Sequence, residues 1–308
     1  MAHLNLKPHH MPYKNLIGDV LLECLPNQFE TVICKDGDVT GPYRTFEFTV
    51  VAGKNDTNVQ LTESGVQLNF DLQDVYWCSR LSEERQRLLQ QFQPQQILAD
   101  PFCGVGALCL QAAVTKDMTV WANDWNPAAT KALQKNAALN RVPKNRLSIE
   151  CGDAYDFLMD LGLRTDPTND ESVMPDHVVM NFPLEAPCFL GALRWWPVKE
   201  SSKQTNEKGS PTKGISVPRV HVYTFARADP STDRSDEDVA VDIVASHLVP
   251  STTSSNDDSM IRRREELNEC GCDVFTHTVR DVAPGKTVVC VSFSATATLL
   301  RRMQGDFI

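Results

Sequence analysis

The chain has 308 residues, 42% apolar and 7% aromatic, with 40 acidic side chains against 30 Lys and Arg and a formal net charge of −10. No apolar run reaches the ~18 residues of a membrane span. The opening MAHLNLKPHHMPYKNLIG lacks the charged-then-apolar layout of a signal peptide, so neither a membrane partner nor secretion is expected. The ten cysteines form no C-x-x-C pair, and no metal site is expected. Free thiols suit a reducing compartment, which points to the cytoplasm, with the nucleus or mitochondrial matrix also compatible.

Residues 1–74 alternate β-prone runs with turn signals. Leu16–Leu25, Thr31–Cys34, Phe46–Ala52 and Val66–Phe70 read as strands, giving a small α+β domain. Leu81–Phe92 has helical apolar spacing and stops before Pro94. From Gln95 the rhythm changes to strand–helix alternation: Ile97–Asp100, then a helix from Ala107, Thr119–Ala122, a helix from Pro127, Leu147–Cys151, a helix from Ala154, and His177–Met180. That alternation predicts a parallel doubly wound sheet over 75–308, closed by strands at Val220–Phe225 and Thr287–Phe293. Three stretches, 165–175, 199–216 and 228–260, read as solvated insertions. Between Ala228 and Ser259 eight acids face one arginine, which places −7 of the −10 there. The rest is near neutral, so the overall charge does not exclude a nucleic-acid partner.

The chemistry gathers at predicted strand ends. Asp100-Pro-Phe102-Cys-Gly104-Val-Gly106 follows the first strand of the sheet. Glycines there allow a tight turn and close ligand approach, and the helix start favours polar groups. The third glycine of the dinucleotide fingerprint is missing, which argues against NAD. Asn123-Asp124-Trp125-Asn126-Pro127 ends the next strand, where an acid can accept both ribose hydroxyls. Gly152-Asp153-Ala154 ends the third, where an acid can accept from an adenine amino group. Each acid could equally be a helix N-cap. Together, at the carboxyl edge of an open α/β sheet, they favour an adenosine-bearing cofactor. Asn181-Phe182-Pro183 ends the fourth strand and could present an amide to a base.

These motifs, with Tyr76-Trp-Cys-Ser-Arg80-Leu-Ser-Glu-Glu84-Arg85 before the sheet, resemble the archaeal and eukaryotic tRNA (guanine-37-N1)-methyltransferases. His3-Leu-Asn-Leu, Pro12–Gly18 and Tyr43-Arg44-Thr45-Phe46 are similar to that family's middle domain. Segments 220–227 and 279–293 are similar to its closing strands. Ser79 replaces the family's proline and Phe182 its leucine, and the family's N-terminal tRNA-corner domain is expected to be missing. The resemblance implies a Rossmann-like S-adenosylmethionine-dependent fold and a tRNA partner, through the anticodon stem-loop carrying G37. It also implies a monomer.

By that resemblance Glu84 is the general base for guanine N1, and Arg44 stabilises charge on O6. Asn181 and Pro183 hold the target base. Tyr76, Arg80, Asp100, Phe102, Gly104, Gly106, Asp124, Trp125, Asp153, Ala154 and Asn181 surround the cofactor. Read without it, Arg80 and Glu84 are only an i,i+4 helix pair. The rival functions are the aminocarboxypropyl transferase of wybutosine synthesis, another methyltransferase on the same sheet, and a non-catalytic RNA-binding relative.

Overall fold

The structure is a computed structural model describing all residues except 42, 165–172, 199–216, 250–263, 284 and 306–308. A short strand β1 (Ala2–Leu4) runs parallel to β2 (Thr31–Thr40), which pairs antiparallel with β3 (Thr45–Gly53). Helix α1 (Lys14–Cys24) covers this sheet. The expected strand at Leu16–Leu25 is therefore a helix. Its inward residues, Ile17, Gly18, Leu21 and Leu22, recur at the helical period, with Asp19 and Glu23 outside. Gly18 is buried because a Cβ there would stand 2.9 Å from the Ala52 Cβ, and that close approach seats the helix on β3.

Strands β4 (Asn58–Glu63) and β5 (Val66–Asp71) form an antiparallel hairpin. It falls within the span read from sequence as the small domain, yet Val66, Leu68 and Phe70 pack into the core of the larger sheet. Asn58 to Glu63 carries alternate polar residues, which hid β4 from the apolar pattern.

The larger sheet has seven strands: β6 (Ile97–Asp100), β7 (Thr119–Asn123), β8 (Leu147–Glu150), β9 (His177–Met180), β10 (Arg219–Ala226), β11 (Phe275–Ala283) and β12 (Lys286–Ser294). Their order is β11-β12-β10-β9-β6-β7-β8. The strands from β10 to β8 are parallel, while β12 runs antiparallel to both β10 and β11, so the sheet is mixed. Helices α2 (Ser82–Gln91), α3 (Ala107–Thr115) and α4 (Pro127–Leu139) cover one face. Helices α5 (Ala154–Asp160), α6 (Asp236–Leu248) and α7 (Ala297–Gln304) cover the other, with a ten-residue 3-10 segment at Ala186–Trp195. Trp196 is wholly buried there and donates its indole N–H to the Leu158 carbonyl at 2.7 Å. Of the Trp195–Trp196 pair, only Trp195 is exposed.

Residues 228–260 are not one solvated insertion. Helix α6 occupies 236–248, starts with a Ser235/Asp238 capping box, and buries Ala240, Val241, Val244, Ala245 and Leu248. Its acids are partnered: Arg264 donates to Asp238 and Arg234 pairs with Asp242. The remaining residues of the three insertions, except 173–175, 228–235 and 249, lie outside the described residues, as do Arg262 and Arg263. If α6 is an integral layer, Ser235→Ala should cost ~1 kcal/mol of stability. Urea unfolding followed by circular dichroism measures this, and an unchanged midpoint would contradict the capped helix.

Candidate active site

The switch in strand order between β6 and β9 opens a crevice at the carboxyl edge of the sheet. A cavity of about 1250 Å³ lies there. Arg44, Tyr76, Arg80, Glu84, Asp100, Phe102, Gly104, Asp124, Trp125, Asp153, Ala154, Asn181 and Pro183 all line it. Of the expected site residues only Gly106 does not. It sits at φ +89°, where a Cβ would stand 2.1 Å from Leu133 Cδ1, so this glycine serves packing of α3 against α4. Gly104, at φ +54°, has open space where its Cβ would be.

Asp124 is fixed from two sides. One carboxylate oxygen accepts from the Gly104 N–H at 2.8 Å and the other from the Asn126 N–H at 2.9 Å. Each oxygen keeps a second acceptor position. Burial pushes the Asp124 carboxyl up in pKa. Asp153 is exposed and caps α5, its Oδ1 accepting from Tyr155 N–H at 2.6 Å. Both acids thus carry the capping or loop role open to them while facing the cavity. Asn181 is half-buried, with no hydrogen-bond partner for its amide among the described residues. Phe102 packs at 5.2 Å from Phe182 and 5.3 Å from Phe189, an apolar wall in which the Phe182 replacement fits. Trp125 is 58% exposed and meets Tyr43 edge-on at 5.9 Å.

Glu84 is 5% exposed and does not pair with Arg80, which lies in the preceding 3-10 turn. Its partner is Arg87, whose Nε donates to Oε2 and Nη2 to Oε1, both at 2.7 Å. The Tyr223 hydroxyl donates to Oε1 at 2.5 Å. Burial first, then the neighbouring Cys290 and Glu84, holds Tyr223 well above the usual phenol range, so it stays a donor. His277 Nε2 stands 3.5 Å from Oε2. Arg87 was legible as an i+3 neighbour, whereas Tyr223 comes from β10, 139 residues away. Arg280 also lines the cavity and was missed.

Asp100 is buried and its carboxyl is pushed up to about 7 by desolvation. A folded pKa raised above the ~3.9 of an unfolded aspartate means the native state binds the extra proton between pH 4 and 7. Stability should therefore be full below pH 4 and fall by a few kcal/mol as pH rises to 7. Asp100→Asn, which cannot ionise, should lose that slope. Urea unfolding across pH 4–7 checks it, and equal slopes in both proteins would refute it.

Residues 59–200 match the TRM5/TYW2 methyltransferase domain and residues 1–57 the TYW2 N-terminal domain. The chain is 57% identical to a Phaeodactylum tricornutum protein named tRNA (guanine(37)-N(1))-methyltransferase 2, over 95% of this chain and 53% of that protein. It is 33% identical to the Saccharomyces cerevisiae tRNA (guanine(37)-N(1))-methyltransferase, over 97% and 63%. This chain thus spans roughly half the length of the curated relatives it matches. Among solved structures, Trm5b from Pyrococcus abyssi superposes with a TM-score of 0.62 at 24% identity, covering 95% of this chain and 72% of that one. TYW2 of P. horikoshii, in complex with MeSAdo, superposes at 0.60 and 21% identity, covering 94% and 86%. Motifs, sheet topology and these matches agree: residues 59–200 carry the pattern of a TRM5/TYW2 methyltransferase domain, preceded by a stretch similar to the TYW2 N-terminal domain.

Proposed function

We propose that this chain is an S-adenosylmethionine-dependent tRNA methyltransferase forming N1-methylguanosine at position 37. The observation that carries the reading is the convergence of four strand-end motifs and Glu84 on one cavity. The names of the relatives support it. The residues fit the cofactor: Asp124 keeps acceptor positions for ribose hydroxyls, Asp153 faces the cavity with an acceptor for an adenine amino group, and Gly104 leaves open space for a ligand. Trp125, Ala154 and the Phe102 wall supply apolar surface, and a cation nearby would favour ionised Asp100.

S-adenosylmethionine, when bound, supplies an activated methyl group. Guanine N1 carries a proton that has to leave, and Glu84 is the carboxylate placed to take it. Arg44 offers a guanidinium to O6 as negative charge builds there. Asn181 presents a free amide to the base, Pro183 shapes the pocket edge, and Tyr76 and Arg80 line the approach.

A second reading has its own support: residues 1–57 match the TYW2 N-terminal domain, which favours aminocarboxypropyl transfer from the same cofactor. Incubation with unmodified tRNA and labelled cofactor, then nucleoside mass spectrometry, decides between them. One added methyl on guanosine is expected; the larger adduct would establish the second reading, and cofactor binding without product a non-catalytic one. Glu84→Gln should lower the single-turnover rate by ~10²–10⁴. Exposed Glu83, about 100° round the helix, is the control, and Glu83→Gln should be nearly silent. Reversed effects would remove Glu84 from the base role. Asp124→Ala should weaken cofactor binding by ~1.5–3 kcal/mol in calorimetry, and unchanged affinity in a folded variant would remove Asp124 from the site.

A further inference from the structure

Most described arginines of this acidic chain are matched to carboxylates: Arg85 to Glu63, Arg87 to Glu84, Arg164 to Glu150, Arg264 to Asp238. At the cavity Arg44, Arg80 and Arg280 depart from this pattern. None has a carboxylate partner among the described residues, and all three line the cavity; Arg280 is the one that no sequence motif assigned. Arg280 donates from Nη1 to Cys78 Sγ at 3.2 Å, a weak acceptor. A guanidinium without a carboxylate partner in a cavity leaves donors for an anionic ligand.

The backbone is irregular at Arg280 and at Arg44. Thr278 pairs with Val289 and Arg280 with Val288, so β11 carries one extra residue, Val279, against its partner. A bulge of this kind re-aims the side chains beside it. Val279 packs toward the core while Arg280 faces the cavity. Arg44 sits at φ +59°, uncommon for a non-glycine residue, in the turn leading to β3. The two cations therefore come from different sheets, with Tyr76 from the connecting segment between them.

We propose that Arg280, beside Cys78, binds a phosphodiester of the RNA adjoining the target guanosine, leaving Arg44 for the base. This rests on the tRNA reading above. A guanidinium suits the role because its fork can hold two phosphate oxygens at once. The contact would tie the RNA backbone to the larger sheet.

The test measures binding of an unmodified anticodon stem-loop RNA by fluorescence anisotropy over a range of salt, with calorimetry of S-adenosylmethionine alongside. Arg280→Gln should weaken RNA binding about tenfold. It should also reduce the slope of log affinity against log salt by about 0.7–0.9, the share of one phosphate. Arg280→Lys should restore the slope but not the full affinity. A neutral methylphosphonate at one linkage flanking the guanosine should weaken wild type and add nothing to Arg280→Gln. Cofactor affinity should be unchanged, which also shows the variant is folded. An unaltered slope, or additive losses at every flanking linkage, overturns the proposal. A loss of cofactor affinity instead assigns Arg280 to the cofactor's carboxylate and overturns it too. Wild type that shows no salt-dependent RNA binding sinks the tRNA reading itself, and is distinguishable because there is then no slope to lose.

Discussion

The site depends on two consecutive side chains at the end of β7. Asn123 is 1% exposed, and its amide donates to the Pro101 carbonyl at 3.2 Å and the Gly152 carbonyl at 3.0 Å. Asp124 accepts from Gly104 and Asn126. Between them they join the loops following β6, β7 and β8, alongside the backbone bond from the Cys103 N–H to the Asn123 carbonyl at 2.9 Å. Asn126 extends the chain of contacts, donating to the Asp74 carbonyl at 2.7 Å just ahead of Tyr76. Each such bond contributes only ~0.5–1.5 kcal/mol net, but a buried carbonyl left without a donor costs ~1–3 kcal/mol. The asymmetry makes the arrangement close to obligatory once the strands have packed.

That frame also explains how α2 is held against the strand ends. On one side Arg85 forms a bidentate pair with Glu63 of the β4–β5 hairpin, both bonds at 2.7 Å, and its guanidinium lies 5.1 Å from the Trp77 ring. On the other, Glu84 reaches Tyr223 of β10. Successive residues on one helix thus fasten the hairpin and the sheet. The hairpin belongs physically to the larger core even though its composition reads like the strands before it.

What was legible in the sequence follows from how local each signal is. The β6–β9 segments and the helices between them were readable because buried parallel strands are short apolar runs and the turns carry glycine, Asn and Asp at fixed places. Strand-end residues were readable for the same reason: topology alone delivers the ends of parallel strands to one edge. Helix α1 was misread because seven of the ten residues of Leu16–Leu25 are apolar and only Asp19 and Glu23, one helical turn apart, mark its outer face. Helix α6 was misread because its acids swamp a five-residue apolar stripe whose partners, such as Trp196 and Leu267, lie far off in sequence. Tyr223, Arg280 and the buried pair His177–His221, whose rings hydrogen-bond at 3.2 Å, had no local mark at all. Their roles come from strand order, which sequence spacing does not contain.

The surroundings of Glu84 constrain the chemistry proposed for it. A carboxylate offers about four acceptor positions. Two on Oε1 are taken by Arg87 and Tyr223, and one on Oε2 by Arg87. The remaining position on Oε2 is the one available to a proton donor, with His277 at 3.5 Å as its rival. A base held this way cannot swing to meet its substrate, so the substrate has to be brought to it. The same fork that restricts the carboxylate also gives it two charge-assisted hydrogen bonds in a buried place. Rigidity here is a form of selection: a base whose N–H approaches from the wrong side meets an oxygen already occupied. For the function proposed above, positioning of the nucleotide would therefore matter as much as the basicity of the residue that receives the proton.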